Sequence, residues 1–295
     1  MRRMTTTFFA VCAAAFAMAA GCDDSATASG PARLTVWLTD APFQTANVKS
    51  ATIYVRTISC RQAETTTENA ADTVSLGWTT VVSPNRAIDL VPLNNGVTMD
   101  LGTQTVPAGT WDSCRMIIDP AQSFVELKDG TKPDIKWPSA GQSGIKILLN
   151  EPVTVQETAV LVVDFDIGSS FVLRGNASHN NGLLFKPVVH GVVRDVAATF
   201  MGVVRGDSAS GSAISAAAVQ LLPAGTAVDD TVALALRTTA TDTAGTFAFH
   251  FVVPGSYAVR AIPPSGSSYK AALLPDGVTL SASETKSGAV IVLKK

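Results

Sequence analysis

The sequence predicts an all-β protein made of two β-sandwich-like domains, and three observations point to this fold class. Short apolar runs with two-residue alternation recur along the chain and are separated by Gly, Pro, Asn and Asp, which is the pattern of strands and turns. No apolar stripe with a 3.6-residue period is sustained over ten residues, so little helix is expected. Apolar residues make up 46% of the 295 residues and charged residues only 16%, which leaves ample apolar surface to bury in two cores.

The first 21 residues are predicted to be a signal peptide that takes no part in the fold. Arg2 and Arg3 precede an apolar stretch from Phe8 to Ala20, which is shorter than the roughly 20 residues needed to span a bilayer. The segment ends in Ala-Ala-Gly-Cys22, which resembles the lipobox of bacterial lipoproteins, with Ala where Leu is commoner. The resemblance implies that Cys22 becomes the lipid-modified first residue. The alternative is an ordinary signal peptide that happens to be followed by a cysteine.

Residues 22–32 are small and polar and are predicted to be a flexible tether between the lipid and the folded protein. About ten residues of this kind have a mean reach of roughly 20 Å. No later stretch is long and apolar enough for a transmembrane helix, so the predicted membrane contact is through the lipid alone. We therefore expect a protein of the bacterial cell envelope, at the outer membrane or cell surface in preference to the inner membrane. Asp23 resembles a retention signal for the inner membrane of enteric bacteria, a rule that does not extend to every lineage.

The first domain is predicted over residues 33–195 as a series of short strands. Its clearest strand is Thr158–Ile167, in which every odd-numbered residue is apolar and is expected to face the core. The polar stretch Arg61–Thr73 is predicted to be an exposed hairpin loop, and the Asn94-Asn95-Gly96 sequence a turn whose residues tolerate positive φ. The predicted strands are Leu34–Leu38, Thr52–Ile58, Gly77–Val82, Ala87–Leu90, Ser113–Ile118, Phe124–Leu127, Ile145–Leu149, Val153–Val155, Thr158–Ile167, Leu183–Phe185 and Val188–Val193.

The second domain is predicted over residues 200–295, with six or seven strands spaced as in a β-sandwich. Phe247, Phe249 and Phe251 are expected to share one face of their strand, with Ala248 and His250 on the other. The linker before this domain is short, so we expect the two domains to pack against each other. The predicted strands are Met201–Val204, Ala218–Leu222, Ala233–Thr239, Phe247–Phe251, Tyr257–Ile262 and Gly288–Leu293.

The second domain resembles the carboxypeptidase regulatory-like (transthyretin-related) sandwich. The resemblance rests on the order of its motifs, which are Gly202–Arg205, Ala218–Leu221, Thr241–Phe247 (T-D-x-x-G-x-F) and Pro254–Tyr257 (P-G-x-Y). It implies a seven-stranded sandwich of the carbohydrate-binding-like class. It also implies a stabilising or adhesive accessory module that has no catalytic residues of its own.

The first domain is similar to a family of bacterial exported domains of unknown function. The L-T-D-A-P opening and a later D-F-D sequence are the most specific parts of the resemblance. Members of that family often follow a lipobox and precede a regulatory-like module, so the resemblance implies fold and location but no activity. The matching segments are Leu34–Pro42, Ile88–Gly96, Leu101, Val106–Gly109, Gly144–Leu148, Val163–Asp166 and Phe185–Val188.

Asp164 and Asp166 are the candidate metal-binding residues. They lie two apart on a predicted strand, so their carboxylates should point to one face, roughly 6–7 Å apart. One interpretation is a solvated polar face, or hydrogen bonds to neighbouring loops. A second is a calcium site, although calcium needs more oxygen ligands and no Asp-rich loop lies nearby in the sequence. A third is an acid–base pair. The first interpretation is favoured, so no cofactor is expected unless calcium binds here.

Trp78, Trp111 and Trp137 are candidates for a sugar-stacking platform, with burial in the core as the alternative. The chain has three histidines, and neither H-x-x-x-H nor H-x-E occurs, so a zinc site has no local signature. His250 is expected at the surface and His179 in a polar loop. No G-x-S-x-G elbow occurs, and no cysteine lies in a protease-like context. The sequence therefore predicts no enzyme.

Cys60 and Cys114 are predicted to form a disulfide. Of the four cysteines, Cys12 leaves with the signal peptide and Cys22 is expected to carry lipid. The remaining two would meet an oxidising compartment, where such a pair is expected to bond. The alternative is a pair of buried free thiols.

The expected function is that of an envelope-anchored, non-enzymatic lipoprotein with a binding, adhesion or structural role. Its expected partners are the membrane, through the lipid, and a polysaccharide or an envelope protein. The formal charge is −2 and the chain has no basic run, so no nucleic-acid partner is expected. The alternative function is a carbohydrate-binding surface lipoprotein.

Overall fold

The computed structural model describes residues 30–40, 47–63, 77–138, 143–149, 151–176, 179–230 and 232–295. The predicted signal peptide, Cys22 and most of the predicted tether lie outside the described residues, as does most of the predicted Arg61–Thr73 loop. Within the described ranges the chain is almost entirely β-structure, which confirms the predicted fold class. The first strand begins at Pro31 and so includes the last residues of the predicted tether.

Fourteen strands in the described part form the first domain. Between them lie the one-turn helix α1 (Ile167–Ser170) and two short 3₁₀ helices, Val91–Leu93 and Pro120–Gln122. A third 3₁₀ helix, Arg194–Val196, leads into the second domain. The strands are β1 Pro31–Thr39, β2 Val48–Gln62, β3 Thr79–Val82, β4 Arg86–Asp89, β5 Met99–Pro107, β6 Gly109–Ile118, β7 Phe124–Leu127, β8 Ile135–Lys136, β9 Ile145–Leu149, β10 Val153–Val155, β11 Thr158–Phe165, β12 Phe171–Asn176, β13 His179–Phe185 and β14 Val189–Val193.

Eleven of these strands belong to one sheet, in the order β3-β2-β6-β9-β14-β11-β1-β5, with β4 and β7 also paired to β2 and β10 to β6. The strands at the two ends of this order, β3 and β5, lie beside each other. The Arg86 guanidinium of β4, which like β3 pairs with β2, donates a hydrogen bond to the Asp100 carbonyl of β5 (2.9 Å). The sheet therefore folds over on itself and encloses a single core, as the predicted sandwich requires. A separate three-stranded sheet has the order β12-β13-β8.

Two strand pairings in this sheet bring distant residues together. β1 and β11 pair in parallel, with Thr39 opposite Asp164. Their carboxyl ends therefore lie at the same edge of the sheet. β2 and β6 pair antiparallel and place Cys60 directly opposite Cys114. These two cysteines form a disulfide whose Cα atoms are 4.1 Å apart, which confirms the predicted bond.

The second domain is a sandwich of a three-stranded sheet and a five-stranded sheet. The smaller sheet has the order β18-β15-β22 and the larger β17-β16-β19-β20, with β21 also paired to β19. Seven of its described strands have three or more residues and one has two, close to the predicted seven. The strands are β15 Ala198–Gly206, β16 Ala218–Pro223, β17 Arg237–Ala240, β18 Thr246–Val252, β19 Gly255–Ile262, β20 Ala272–Leu273, β21 Val278–Leu280 and β22 Thr285–Leu293.

The predicted strand Ala233–Thr239 is wrong in its first half, because β17 begins only at Arg237. The Asp230 carboxylate accepts hydrogen bonds from the backbone N–H groups of Val232 and Ala233, both at 2.9 Å. These bonds hold the segment in a turn, and Leu234 is 83% exposed. An alternating apolar pattern is therefore a weak predictor of a strand when an Asp that precedes it accepts hydrogen bonds from its first backbone N–H groups.

The predicted Phe face of β18 is correct for two of its three residues. Phe247 and Phe249 are buried and form an aromatic cluster with Phe200. Phe251 is different, because its φ is +54° and the β15–β18 register shifts beside it. This bulge adds one residue to the alternation and turns Phe251 away from the domain's own core.

Candidate functional site

The two domains meet across an apolar seam, which we call the junction. On the first domain it consists of the outer face of β1, β11 and β14, with Trp37, Val160, Val162 and Val192. The second domain contributes Phe251, and Ala197 and Val253 pack with it. The even-numbered face of β11 is therefore covered by protein, and Val162 is fully buried. This contact confirms that the domains pack together and shows that the predicted solvated face of β11 is wrong.

Asp164 lies at the carboxyl end of β11 and forms a buried ion pair across the junction. Its partner is Arg237, the first residue of β17, and only 2% of the Asp164 side chain and 10% of the Arg237 side chain are exposed. The same guanidinium donates hydrogen bonds to the carbonyls of His250 (3.2 Å) and Phe251 (3.4 Å). Removing either partner of a buried pair of this kind would leave an uncompensated buried charge, which is strongly destabilising.

Asp166 has a local structural role. It is the N-cap of α1, and its two carboxylate oxygens accept hydrogen bonds from the backbone N–H (2.8 Å) and hydroxyl (2.9 Å) of Ser169. Burial raises the pKa of Asp166, and the hydrogen bonds from Ser169 act in the opposite direction. The next residue of α1, Ser170, accepts a hydrogen bond at its hydroxyl from the Val188 N–H (3.0 Å).

Asp40 is a third buried carboxyl group, which sequence reasoning missed. It follows β1 and accepts a hydrogen bond from the backbone N–H of Ile167 (3.0 Å). Burial, reinforced by the charges of Asp164 and Asp166, raises the pKa of Asp40 to about 9. At neutral pH this carboxyl group is therefore protonated and uncharged. The position of Asp40 in the L-T-D-A-P opening is the sequence feature that could have indicated it. Only the parallel pairing of β1 with β11, however, brings Asp40 beside the carboxylates of the D-F-D sequence.

Three of the segments that carry the first domain's family resemblance contribute to this edge: the opening with Thr39 and Asp40, the segment that ends in the Asn-Asn-Gly turn, and the D-F-D sequence. The Thr39 hydroxyl hydrogen-bonds to the carbonyls of Leu93 (3.0 Å) and Val97 (2.8 Å), which flank the Asn-Asn-Gly turn. Gly96 in that turn has φ +82°, and a Cβ placed on it would lie 3.0 Å from the His250 ring. His250 therefore packs partly buried against the first domain, and the prediction that it lies at the surface is wrong.

A cavity of about 40 Å³ lies inside the junction, large enough for one or two water molecules. His190 lines it beside Asp164, Arg237 and Tyr257. Burial, together with the positive charge of Arg237, lowers the pKa of His190 to about 4, so the ring is neutral at pH 7. Burial likewise raises the pKa of the Tyr257 hydroxyl, which donates a hydrogen bond to the Val253 carbonyl (2.6 Å).

The arrangement provides little support for a calcium site at Asp164 and Asp166. The positive charge that faces Asp164 is a guanidinium, and Asp166 accepts hydrogen bonds from Ser169. Among the described residues, no group of three or more His, Cys, Asp or Glu side chains is placed to hold a metal ion.

The predicted tryptophan platform is wrong, because the three rings do not share a surface. Trp111 is only 1% exposed and lies in the core of the first domain. Trp137 packs on Phe171 and Phe185, with ring centroids 6.1 and 4.6 Å apart. Trp78 is 41% exposed, and the Arg115 guanidinium lies 4.3 Å from its ring centroid.

The all-β fold and the motifs near the junction define a β-domain joined to a second β-sandwich. The chain belongs to the family described as Domain of unknown function (DUF4382), whose model matches residues 31–187. That range covers more than half of the chain and includes Asp40, Asp164, Asp166 and both disulfide cysteines. A comparison with curated proteins found no match. In the described part of the chain, no helix is long and apolar enough to cross a membrane.

Solved structures similar to this chain include a protein of Bacillus anthracis and two pilins. The Bacillus anthracis TIE protein is 13% identical with a TM-score of 0.24, and 90% of this chain covers only 34% of that one. The minor pilin GBS52 of Streptococcus agalactiae is 12% identical (TM-score 0.25), with 90% and 96% covered. The shaft pilin SpaA of Lactobacillus rhamnosus GG is 9% identical (TM-score 0.24), with 90% and 98% covered. Similarity at these TM-scores supports no inference about function.

Proposed function

We propose that the protein is a non-enzymatic lipoprotein of the bacterial cell envelope, with a role in binding, adhesion or structural support. The observation that supports this proposal is that the buried carboxyl groups at the junction make structural contacts. Asp164 binds Arg237 of the second domain, Asp166 caps α1, and Asp40 accepts the Ile167 N–H. Each of these groups stabilises the fold or the docking of the domains.

The motifs of the second domain support an accessory role of the carboxypeptidase regulatory-like kind. In the T-D-x-x-G-x-F segment, the Asp242 carboxylate accepts hydrogen bonds from the N–H groups of Ala244 and Thr246, both at 2.8 Å. Gly245 takes φ +76° in the same turn, a conformation that favours glycine. In the P-G-x-Y segment, the Tyr257 hydroxyl binds the Val253 carbonyl. These motif residues build turns, which suits a bracing module.

The proposed lipid anchor would hold the folded domains close to the membrane. β1 begins at Pro31, nine residues after Cys22, and a flexible tether of that length has a mean reach of roughly 15–18 Å. At that distance the two domains would lie at the membrane surface, which suits a role in binding or support there. We place the protein at the outer membrane or cell surface.

The anchor is tested with the full-length precursor expressed in a bacterial host that receives a clickable palmitate analogue. The wild type should incorporate the label and partition into detergent with the membrane fraction. Cys22→Ala should lose the label and either appear in the soluble fraction or remain as precursor. Cys12→Ala is the matched control and should behave as the wild type. An unlabelled wild-type protein found wholly in the soluble fraction would contradict the anchor.

The non-enzymatic role is tested by assaying the purified mature protein with ester, peptide and glycoside substrates, beside the Asp164→Asn and Asp40→Asn variants. We expect no turnover above background from any of them. Saturable hydrolysis by the wild type, abolished in a variant that keeps its secondary structure and a cooperative melt, would overturn the proposal.

Carbohydrate binding is the alternative function, and its remaining structural support is the exposed ring of Trp78. Sedimentation with insoluble polysaccharides, including peptidoglycan, distinguishes the two proposals. Retention of the wild type together with loss of retention in Trp78→Ala would favour the carbohydrate-binding lipoprotein. No retention of the wild type on any of these polysaccharides would favour the first proposal.

A further inference from the structure

We propose that the edge of the first domain that carries Asp40, Asp164 and Asp166 is a guanidinium-recognition site, and that Arg237 occupies it from within the same chain. The carbonyls of His250 and Phe251 complete this site from the second domain, and we call the whole site the guanidinium pocket. This proposal does not depend on the proposed function, because it concerns how the orientation of the two domains relative to each other is fixed.

The contacts of Arg237 are those of a recognised guanidinium rather than of a simple counter-charge. The Nη2 atom contacts the Asp164 carboxylate of the first domain and donates to the His250 carbonyl, and the Nη1 atom donates to the Phe251 carbonyl; both carbonyls belong to β18 of the second domain. A planar guanidinium can serve these acceptors at once, because its donors form a fixed fork. A lysine ammonium is a point donor on a flexible stem and does not reproduce that geometry.

The pocket also contains polar atoms that the protein leaves without partners. The Arg237 Nε and the His190 Nε2 are both buried and have no hydrogen-bond partner among the described residues. Arg237 and His190 line the same cavity of about 40 Å³. Buried polar atoms beside a cavity of this size are the usual place for an ordered water. The pocket therefore has room for a water molecule beside the guanidinium, next to two buried nitrogen atoms that make no hydrogen bond within the described protein.

The position of the pocket explains why an arginine here would set the orientation of the domains. Near the linker, the backbone N–H of Ser283 donates a hydrogen bond to the Val196 carbonyl (3.2 Å). That contact holds the second domain at one point, close to where the chain enters it. The Arg237–Asp164 pair supplies a second point of attachment across the apolar seam. Two separated points of attachment fix the orientation of the second domain relative to the first, whereas one short linker alone does not.

The test is chemical rescue of Arg237→Ala in the full mature chain. Removing the side chain should join its space to the neighbouring cavity and leave Asp164 without its guanidinium partner. Low-millimolar methylguanidinium should then raise the melting temperature of this variant in a saturable way, by about 3–6 °C at ten times the dissociation constant. Methylammonium, which has the same charge and a different shape, should have no such effect.

Arg260→Ala is the matched control, because Arg260 is also buried but binds the Gln220 side chain and backbone carbonyls instead of a carboxylate. Its melting temperature should not rise with methylguanidinium. An equal rise in Arg260→Ala, an equal rise with methylammonium, or no rise in a folded Arg237→Ala variant would each overturn the proposal.

A second variant keeps the proposal testable if Arg237→Ala does not fold. Asp164→Asn preserves the shape of the pocket and removes its charge. Hydrogen exchange should increase around Val192 and Phe251 in this variant and remain unchanged in the second domain's own core. Asp119→Asn, which removes the partner of Arg56 within the first domain, is the control and should leave the exchange of both segments at the wild-type level. Unchanged exchange in Asp164→Asn would contradict the proposed recognition.

Discussion

Replacing Asp40 by asparagine should remove most of the loss of stability that the protein shows at alkaline pH. Asp40 is 3% exposed and accepts the Ile167 N–H through one carboxylate oxygen. Asparagine keeps the size of the side chain and a carbonyl oxygen for that bond. It cannot ionise, so the variant isolates the effect of the buried proton.

The size of the effect follows from the raised pKa of Asp40, which is about 9 in the folded protein against an ordinary 3.8. Between these values the folded state holds a proton that the unfolded state has lost, so stability falls as pH rises, by about 1.4 kcal/mol per pH unit. His190 acts in the opposite direction. Its pKa is lowered from 6.5 to about 4, so its contribution is present above pH 6.5 and is lost as pH falls towards 4. Below pH 6.5, the contributions of Asp40 and His190 to the pH dependence of stability have opposite signs and offset each other. Above pH 6.5 the Asp40 contribution remains, and it should lower the free energy of unfolding by about 3 kcal/mol by pH 9.

The assay is urea unfolding of the disulfide-bonded mature protein at several pH values from 6.5 to 9. The free energy of unfolding of the wild type should fall by about 3 kcal/mol over this range, whereas that of Asp40→Asn should stay nearly constant. Asp119→Asn serves as the control, because the Arg56 side chain lowers the pKa of Asp119 and the group is already ionised throughout this range. The control should keep the wild-type slope. Parallel curves for the wild type and Asp40→Asn would refute the reasoning.

Three further variants test the fold around the junction and the core. The double replacement of Cys60 and Cys114 by alanine opens a loop of sequence separation 54. This should lower the free energy of unfolding, measured with urea, by about 4 kcal/mol, because the unfolded chain gains entropy. A loss below about 1 kcal/mol would contradict this entropic explanation. Gly96→Ala and Gly130→Ala both place a side chain at positive φ, at a cost of about 1–2 kcal/mol. Only the first should also press on His250, so it should lower the melting temperature more, and equal effects would argue against that contact.

The sequence predicted the core-facing residues of β11 correctly and its other face wrongly. The apolar odd positions lie in the core as expected, and Ala159, Leu161 and Val163 are all buried. The alternation of polar Asp164 and Asp166 with these residues suggested a solvated face. That face is covered by the second domain, a fact that no periodicity within one strand can reveal. A buried carboxylate looks the same in sequence as an exposed one.

The junction itself could not be assembled from the sequence, because its members come from distant segments. Asp40 reaches Asp164 only through the parallel pairing of β1 with β11, and parallel strands are distant in sequence. Arg237 was predicted inside a strand and begins one instead. Phe251 reaches the seam through a bulge at positive φ, which two-residue alternation does not anticipate. The disulfide was predictable because elimination left a single pair of cysteines.

We expect the two domains to unfold as one cooperative unit held by the buried contacts of the junction. Differential scanning calorimetry of the wild-type mature protein at neutral pH tests it most directly. We expect a single transition whose calorimetric enthalpy equals its van't Hoff enthalpy, since two coupled domains should unfold together. Two resolved transitions, each with the enthalpy of one domain, would contradict it.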